Sequence, residues 1–144
     1  MKNENDARAA IVAEALRWVG TPWHHGAEVL GAGVDCARLV KAAYVGAGVR
    51  PDFRVEDYPI DFMLHADAER LVETIEAQGG RLVEVPQAGD VVVWRFGKSF
   101  SHAGIVVEWP AVVVHAFRPW GEVVASPGDA DKLSGREARF YSLW

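Results

Sequence analysis

The sequence predicts an α+β fold in which N-terminal helices pack on a roughly five-stranded antiparallel sheet. Apolar residues recur at three- and four-residue steps through the first half of the chain, the period of a helix with one buried face. From about residue 90 onward, Val, Trp, Phe and Tyr crowd into short runs split by Pro and Gly, which is strand composition. The connections between those runs span a few residues, whereas a parallel crossover needs a dozen or more. Segregated helices and strands distinguish this from an alternating α/β chain. With neither an internal repeat nor a linker, the 144 residues are expected to form one domain.

The first helix is expected over Asp6–Val19, where Ile11, Val12, Ala15, Leu16, Trp18 and Val19 share a face. Asn3 or Asn5 is available as its cap, and Gly20-Thr21-Pro22 stops it. The glycine-rich stretch from Gly26 to Gly33 lacks periodicity and reads as a loop. Leu39, Val40, Ala43 and Tyr44 mark a second helix, with Asp35 ahead of it as cap and Gly46 or Gly48 at its end. Cys36 then falls in the first turn. After a segment rich in Pro and Asp, Phe62, Leu71, Val72 and Ile75 predict a third helix over Asp61–Gln78, ended by Gly79-Gly80. Strands are expected at Val91–Phe96, Ala103–Trp109, Val112–Phe117, Glu122–Ala125 and Arg136–Leu143.

Composition narrows the partners. A formal net charge of -5, with no dense cluster of Lys or Arg, argues against nucleic acid. No run of eighteen apolar residues suggests a membrane span. The polar start Met1-Lys2-Asn3-Glu4-Asn5-Asp6 lacks the apolar core of a secretion signal, so a cytoplasmic site of synthesis is expected. Cys36 is the sole cysteine, which rules out an internal disulfide.

Cys36 and two histidines carry the candidate chemistry. A thiol attacks carbonyls as its thiolate, and a helix N-terminus or a neighbouring imidazolium stabilises that anion. A free cysteine is otherwise commonly a small buried apolar residue. His102 opens one expected strand and His115 lies within the next. If the hairpin turns about the Trp109–Pro110 bond, His102 faces Phe117 and His115 is its diagonal neighbour, so both imidazoles project from one face. A turn centred on Pro110 would put them on opposite faces. On one face, one imidazole can pair with the thiol while the other orients it.

The ordered motifs GTPWHHG (Gly20 to Gly26), VDCARLV (Val34 to Val40), AGDVVVW (Ala88 to Trp94), SHAGIVV (Ser101 to Val107) and VVVHAF (Val112 to Phe117) resemble the NlpC family of papain-like cell-wall peptidases over most of the chain. The resemblance implies a papain-like fold, with Cys36 as nucleophile, His102 as general base and His115 as the residue that holds His102 in its tautomer. It also implies hydrolysis of the bond between D-γ-glutamate and diaminopimelate or lysine in peptidoglycan stem peptides, without a cofactor. The compact form and the long loop after the first motif are most similar to versions from phages, prophages and gene transfer agents, for which phage tail proteins are partners. Delivery in such a particle, or release at lysis, would bring an unexported enzyme to the wall.

Around these three residues, the resemblance places Trp23, His24, Asp35, Ala37, Arg38 and Ser101 at the substrate and oxyanion side of the site. The expected oxyanion donors are the backbone N–H of Cys36 and the indole N–H of Trp23. The chain departs from the family at Trp23, where a tyrosine is usual, at Ala37-Arg38, where Ser-Gly is usual, and at Ala27, which replaces a glycine. Arg38 reads as a solvated cation, with a substrate carboxylate as the alternative partner.

His24 and His25 are adjacent, but no H-x-x-x-H or C-x-x-C spacing accompanies them, so no metal is expected. One of the pair suits the substrate groove. His65, on the third helix without a partner in sequence, reads as solvated, while Trp18 and Trp94 fall on core faces. Two other functions fit the same residues: a catalytically silent tail or assembly component, and an amidase or acyltransferase of the same fold.

Overall fold

The structure, a computed structural model, describes residues 3–55 and 70–144. Helix α1 (Glu4–Arg17) begins at Asn3, whose side chain accepts the Asp6 N–H at 2.8 Å. Of the two candidate caps, Asn3 is therefore the one used. Its buried face is Ala7, Arg8, Ile11 and Ala15. Arg8 is a polar member of that face, and its guanidinium reaches the Asp90 carboxylate at 2.7 Å and the Ala88 carbonyl at 3.0 Å. This ion pair ties α1 to the start of the sheet.

The expected loop from Gly26 to Gly33 holds more order than its composition suggested. A short antiparallel ribbon, β1 (Glu28–Val29) with β2 (Gly33–Val34), forms within it and leads directly into α2 (Cys36–Gly46). Asp35 caps α2, its carboxylate accepting the Arg38 N–H at 3.0 Å. The helix runs through Gly46, and Gly48, at φ +75, is the left-handed residue that lets the chain turn away. Leu39, Val40, Ala42, Ala43 and Tyr44 are buried on its inner side. A fully buried Leu such as Leu39 contributes roughly 1.5–3 kcal/mol. The described part of the third helix, α3, is Arg70–Ala77, with Val72 and Ile75 buried. The rest of that expected helix, including Phe62 and His65, lies outside the described residues.

The sheet has six strands rather than five, in the order β3-β8-β4-β5-β6-β7, all antiparallel. Strands β4 (Val91–Phe96) and β6 (Val112–Phe117) keep their expected limits, and β7 (Glu122–Ser126) and β8 (Ala138–Ser142) lie close to theirs. The additional strand is β3 (Arg81–Val83), a three-residue edge strand with two exposed residues and therefore no alternation to read. Strand β5 (Ser99–Glu108) begins four residues before the expected Ala103. Trp94 pairs with His102 and Arg95 with Phe100, so Ser101 is the extra residue of a β-bulge.

Two apolar layers cover the sheet. Ile11, Leu39, Ala43 and Tyr44 from the helices pack with Val91, Val93, Ala103, Ile105 and Val114 on one face. On the other, Val92, Trp94, Val106, Val113, Phe117 and Leu133 form a second cluster to which α1, α2 and α3 contribute no residue. Among the described residues, no helix is long and apolar enough to cross a membrane.

Candidate active site

Cys36 is the first residue of α2, at the positive end of the helix. What precedes it is fixed on both sides. The segment from Gly20 to His24 lies between the outer edge of β7 and β2: Gly20 N–H and Trp23 N–H donate to Val123 O at 2.9 Å and Gly121 O at 2.8 Å, while Val34 N–H donates to Pro22 O at 3.0 Å. Asp35 then fastens the loop to the helix, because its second carboxylate oxygen accepts the Gly26 N–H at 2.9 Å. The thiol consequently meets β5 at the bulge, with Sγ 4.0 Å from the Ser101 carbonyl oxygen. His102 is the next residue.

The strand register puts the two histidines together. Ile105 pairs with Val114 and Val106 with Val113, the hairpin alternative that turns about Trp109–Pro110. His102 Nε2 lies 2.9 Å from His115 Nδ1, and His115 Nε2 lies 2.9 Å from Ser126 Oγ. The Ser126 hydroxyl in turn reaches the Pro127 carbonyl at 3.2 Å. Both imidazoles sit against the second apolar cluster: Trp94 stacks on His102 with ring centroids 5.1 Å apart and planes at 22°, and Phe117 lies 4.8 Å away. Trp120 flanks His115 at 5.6 Å. Trp94 is held by its own indole N–H, donated to Gly128 O at 3.0 Å.

Burial sets the charge of this pair. The His102 side chain is enclosed, which disfavours the imidazolium and pushes its pKa well below the ordinary 6.5; His115 and then Arg136 act in the same direction. Burial alone pushes His115 down to about 4. Both shifts favour the neutral rings at pH 7. This burial disfavours the resting imidazolium that the sequence suggested beside the thiol.

The residues expected around Cys36 divide into several groups. Asp35, fully buried, is structural on every contact it makes: helix cap, loop anchor and ion-pair partner. Arg38 is not solvated. It is 7% exposed, its guanidinium donating to Asp35 at 2.7 Å and to the Val55 carbonyl at 3.1 Å, so Asp35 holds the charge that a substrate carboxylate would otherwise need. Ala37 lines a mostly apolar recess between α2 and α3 with Val40, Val55, Leu71 and Ile75. Trp23 is half-buried and stacks with His25 at 6.4 Å, while the Arg118 guanidinium stands 5.4 Å from its ring. His24 is exposed and its Nδ1 contacts the His25 carbonyl at 3.0 Å. Ser101 is buried, and its hydroxyl has no hydrogen-bond partner among the described residues. Trp18 and Trp94 are core, as their periodicity implied. Among the described residues, no three His, Cys, Asp or Glu side chains are placed to hold a metal ion.

Ser126 is the member of the cluster that sequence reasoning missed. Its signal was available only through register: His115 pairs with Val124, and Ser126, two residues on, points to the same face.

No family model matches the sequence, and no curated protein is detectably similar to it. Solved structures are similar in three dimensions. The NlpC/p60 domain of the peptidoglycan hydrolase SagA superposes with a TM-score of 0.63 at 22% identity, over 92% of this chain and 96% of that one. The peptidoglycan hydrolase RipB of Mycobacterium tuberculosis gives 0.64 at 18% identity, over 99% of this chain and 68% of that one. RipD of the same organism, described as a non-catalytic NlpC/p60 domain protein adapted to peptidoglycan binding, gives 0.61 at 15% identity, over 96% of this chain and 98% of that one. The chain has the papain-like α+β fold of these domains.

Proposed function

We propose that this chain is a cell-wall hydrolase of the NlpC type, a thiol peptidase that cleaves an amide bond in peptidoglycan stem peptides. The observation that carries the proposal is the 2.9 Å contact between His102 Nε2 and His115 Nδ1, on a strand whose preceding residue touches the Cys36 thiol. The two imidazoles are buried and mutually bonded, on strands whose bulge at Ser101 meets the sole cysteine at a helix start. Such a pair is costly to bury and suited to moving a proton.

In this reading, His102 takes the proton of Cys36 through Nδ1, because Nε2 is committed to His115. The helix N-terminus stabilises the thiolate, which attacks the amide carbon. The tetrahedral oxyanion is met by the backbone N–H of Cys36, with the Trp23 indole as a second donor. His102 then gives its proton to the departing amine, and water, deprotonated by the same ring, hydrolyses the thioester. The ordered motifs support the D-γ-glutamyl-diaminopimelate or -lysine bond as the one cut. They also support a phage-type setting, with synthesis in the cytoplasm and delivery to the wall in a particle or at lysis.

Digestion of purified muropeptides, followed by mass spectrometry, tests the proposal. Wild type is expected to cut after the γ-glutamyl residue, and Cys36→Ala to leave the substrate intact. Intact muropeptides with both proteins, together with their retention on isolated cell walls, would instead point to a silent binding domain of the kind described for RipD. Cleavage or transfer at another amide or ester would point to an amidase or acyltransferase.

A further inference from the structure

We infer that Ser126 is a positioning residue, the end of a hydrogen-bond chain that fixes the tautomers of both histidines and so leaves the His102 Nδ1 lone pair free to act as the base. The inference rests on the proposed thiol-peptidase reading and extends it by one residue on a third strand.

The polarity follows from the last link. A peptide carbonyl can only accept, so the contact of Ser126 Oγ with Pro127 O at 3.2 Å consumes the hydroxyl proton. Ser126 Oγ must then accept at its other contact, from His115 Nε2 at 2.9 Å. A neutral imidazole protonated at Nε2 carries its lone pair at Nδ1. That atom faces His102 Nε2 at 2.9 Å, which is therefore the donor. His102, protonated at Nε2, has its own lone pair at Nδ1. Reversing any link reverses all of them: if Ser126 donated to His115, a proton would be forced onto His102 Nδ1 and the Pro127 contact would be lost. Burial keeps both rings neutral, the state in which such a one-way chain is defined.

The geometry that brings Ser126 into line is that of the sheet. It stands opposite Val113 on β6, diagonal to His115, close enough for a ring nitrogen to reach. Without the hydroxyl, His115 loses the acceptor for its Nε2 proton, and nothing then disfavours the opposite tautomer.

The test reads tautomers directly and does not depend on turnover. Nitrogen-15 spectra of histidine-labelled protein separate protonated from bare ring nitrogens, and His102→Gln and His115→Gln identify each ring's signals. Wild type is expected to show Nδ1 bare and Nε2 protonated on both rings, Ser126→Val to lose that pattern, and Ser126→Thr to keep it. With muropeptide, Ser126→Val should lower kcat about tenfold to hundredfold, as for partners one step behind a functional imidazole, with KM unchanged and activity rescued in Ser126→Thr. A wild-type His102 protonated at Nδ1, or Ser126→Val with the wild-type pattern and kcat, would overturn the inference. If wild type shows the expected tautomers but cuts no muropeptide, the positioning role stands and the proposed function fails.

Discussion

Gly104 and His115 cannot both carry a Cβ where they stand: a carbon added at Gly104 would lie 2.9 Å from His115 Cβ and 2.9 Å from the Val114 carbonyl oxygen. The glycine next but one to His102 on β5 is what lets His115 lie close across the strands. Gly104→Ala should therefore displace the His115 ring from His102. Overpacking of this kind costs about 1–3 kcal/mol. A lowered melting temperature, with a loss of hydrolysis larger than the loss of folded protein, is the expected result.

His102 and His115 should make stability fall in mild acid. Their folded pKa values lie below the ordinary 6.5, with His115 at about 4, so the unfolded chain takes up protons first. Their contribution is present in full above about pH 6.5 and is lost as pH falls through that value towards the folded pKa values. Each ring adds a slope of up to about 1.4 kcal/mol per pH unit between them. Urea denaturation of wild type and of His102→Gln/His115→Gln at pH 7 and pH 5 measures it; the difference between the two pH values should shrink in the double variant.

The two histidines should not be equal in catalysis. His102→Ala removes the proposed base and should lower kcat by about 10²- to 10⁴-fold. His115→Asn keeps a hydrogen-bonding partner for His102 and should cost less. Rates on one defined stem peptide decide the order, and an equal or greater loss in His115→Asn would contradict the roles given above.

Asp35 should matter for folding before it matters for chemistry. Its carboxylate caps α2, accepts from Gly26 and pairs with buried Arg38. Removing one partner of a buried ion pair costs roughly 3–5 kcal/mol. Asp35→Ala should lower the urea midpoint by that order, while Asp35→Asn, which can still cap, should lose less.

Much of this arrangement is legible in the sequence because it depends on local rules. Strands β4 and β6 are apolar runs between turn residues, and Asp35 is a capping residue set before a helical face, so each announces itself within a few residues. The pairing of His102 with His115 required only the choice of a turn, and the structure adopts the Trp109–Pro110 alternative. What escaped reading is what depends on neighbours distant in the chain. Strand β3 exists because β8 pairs with it, Arg38 is buried because Asp35 and the Val55 carbonyl receive it, and Ser126 meets His115 only through the β6–β7 register. The motifs that carry the family resemblance are short, and the similarity that the comparisons show is one of fold.

The strip of chain from Gly20 to Trp23 has a consequence for how copies of this protein meet. It hydrogen-bonds along the outside of β7, and Pro22, bridged to Glu122, has no N–H to offer a further strand. At the far side of the sheet, β3 is three residues long and carries Arg81. Among the described residues, the strip occupies the beginning of the β7 border and β3 is short, so little open strand edge is offered for edge-to-edge pairing between copies.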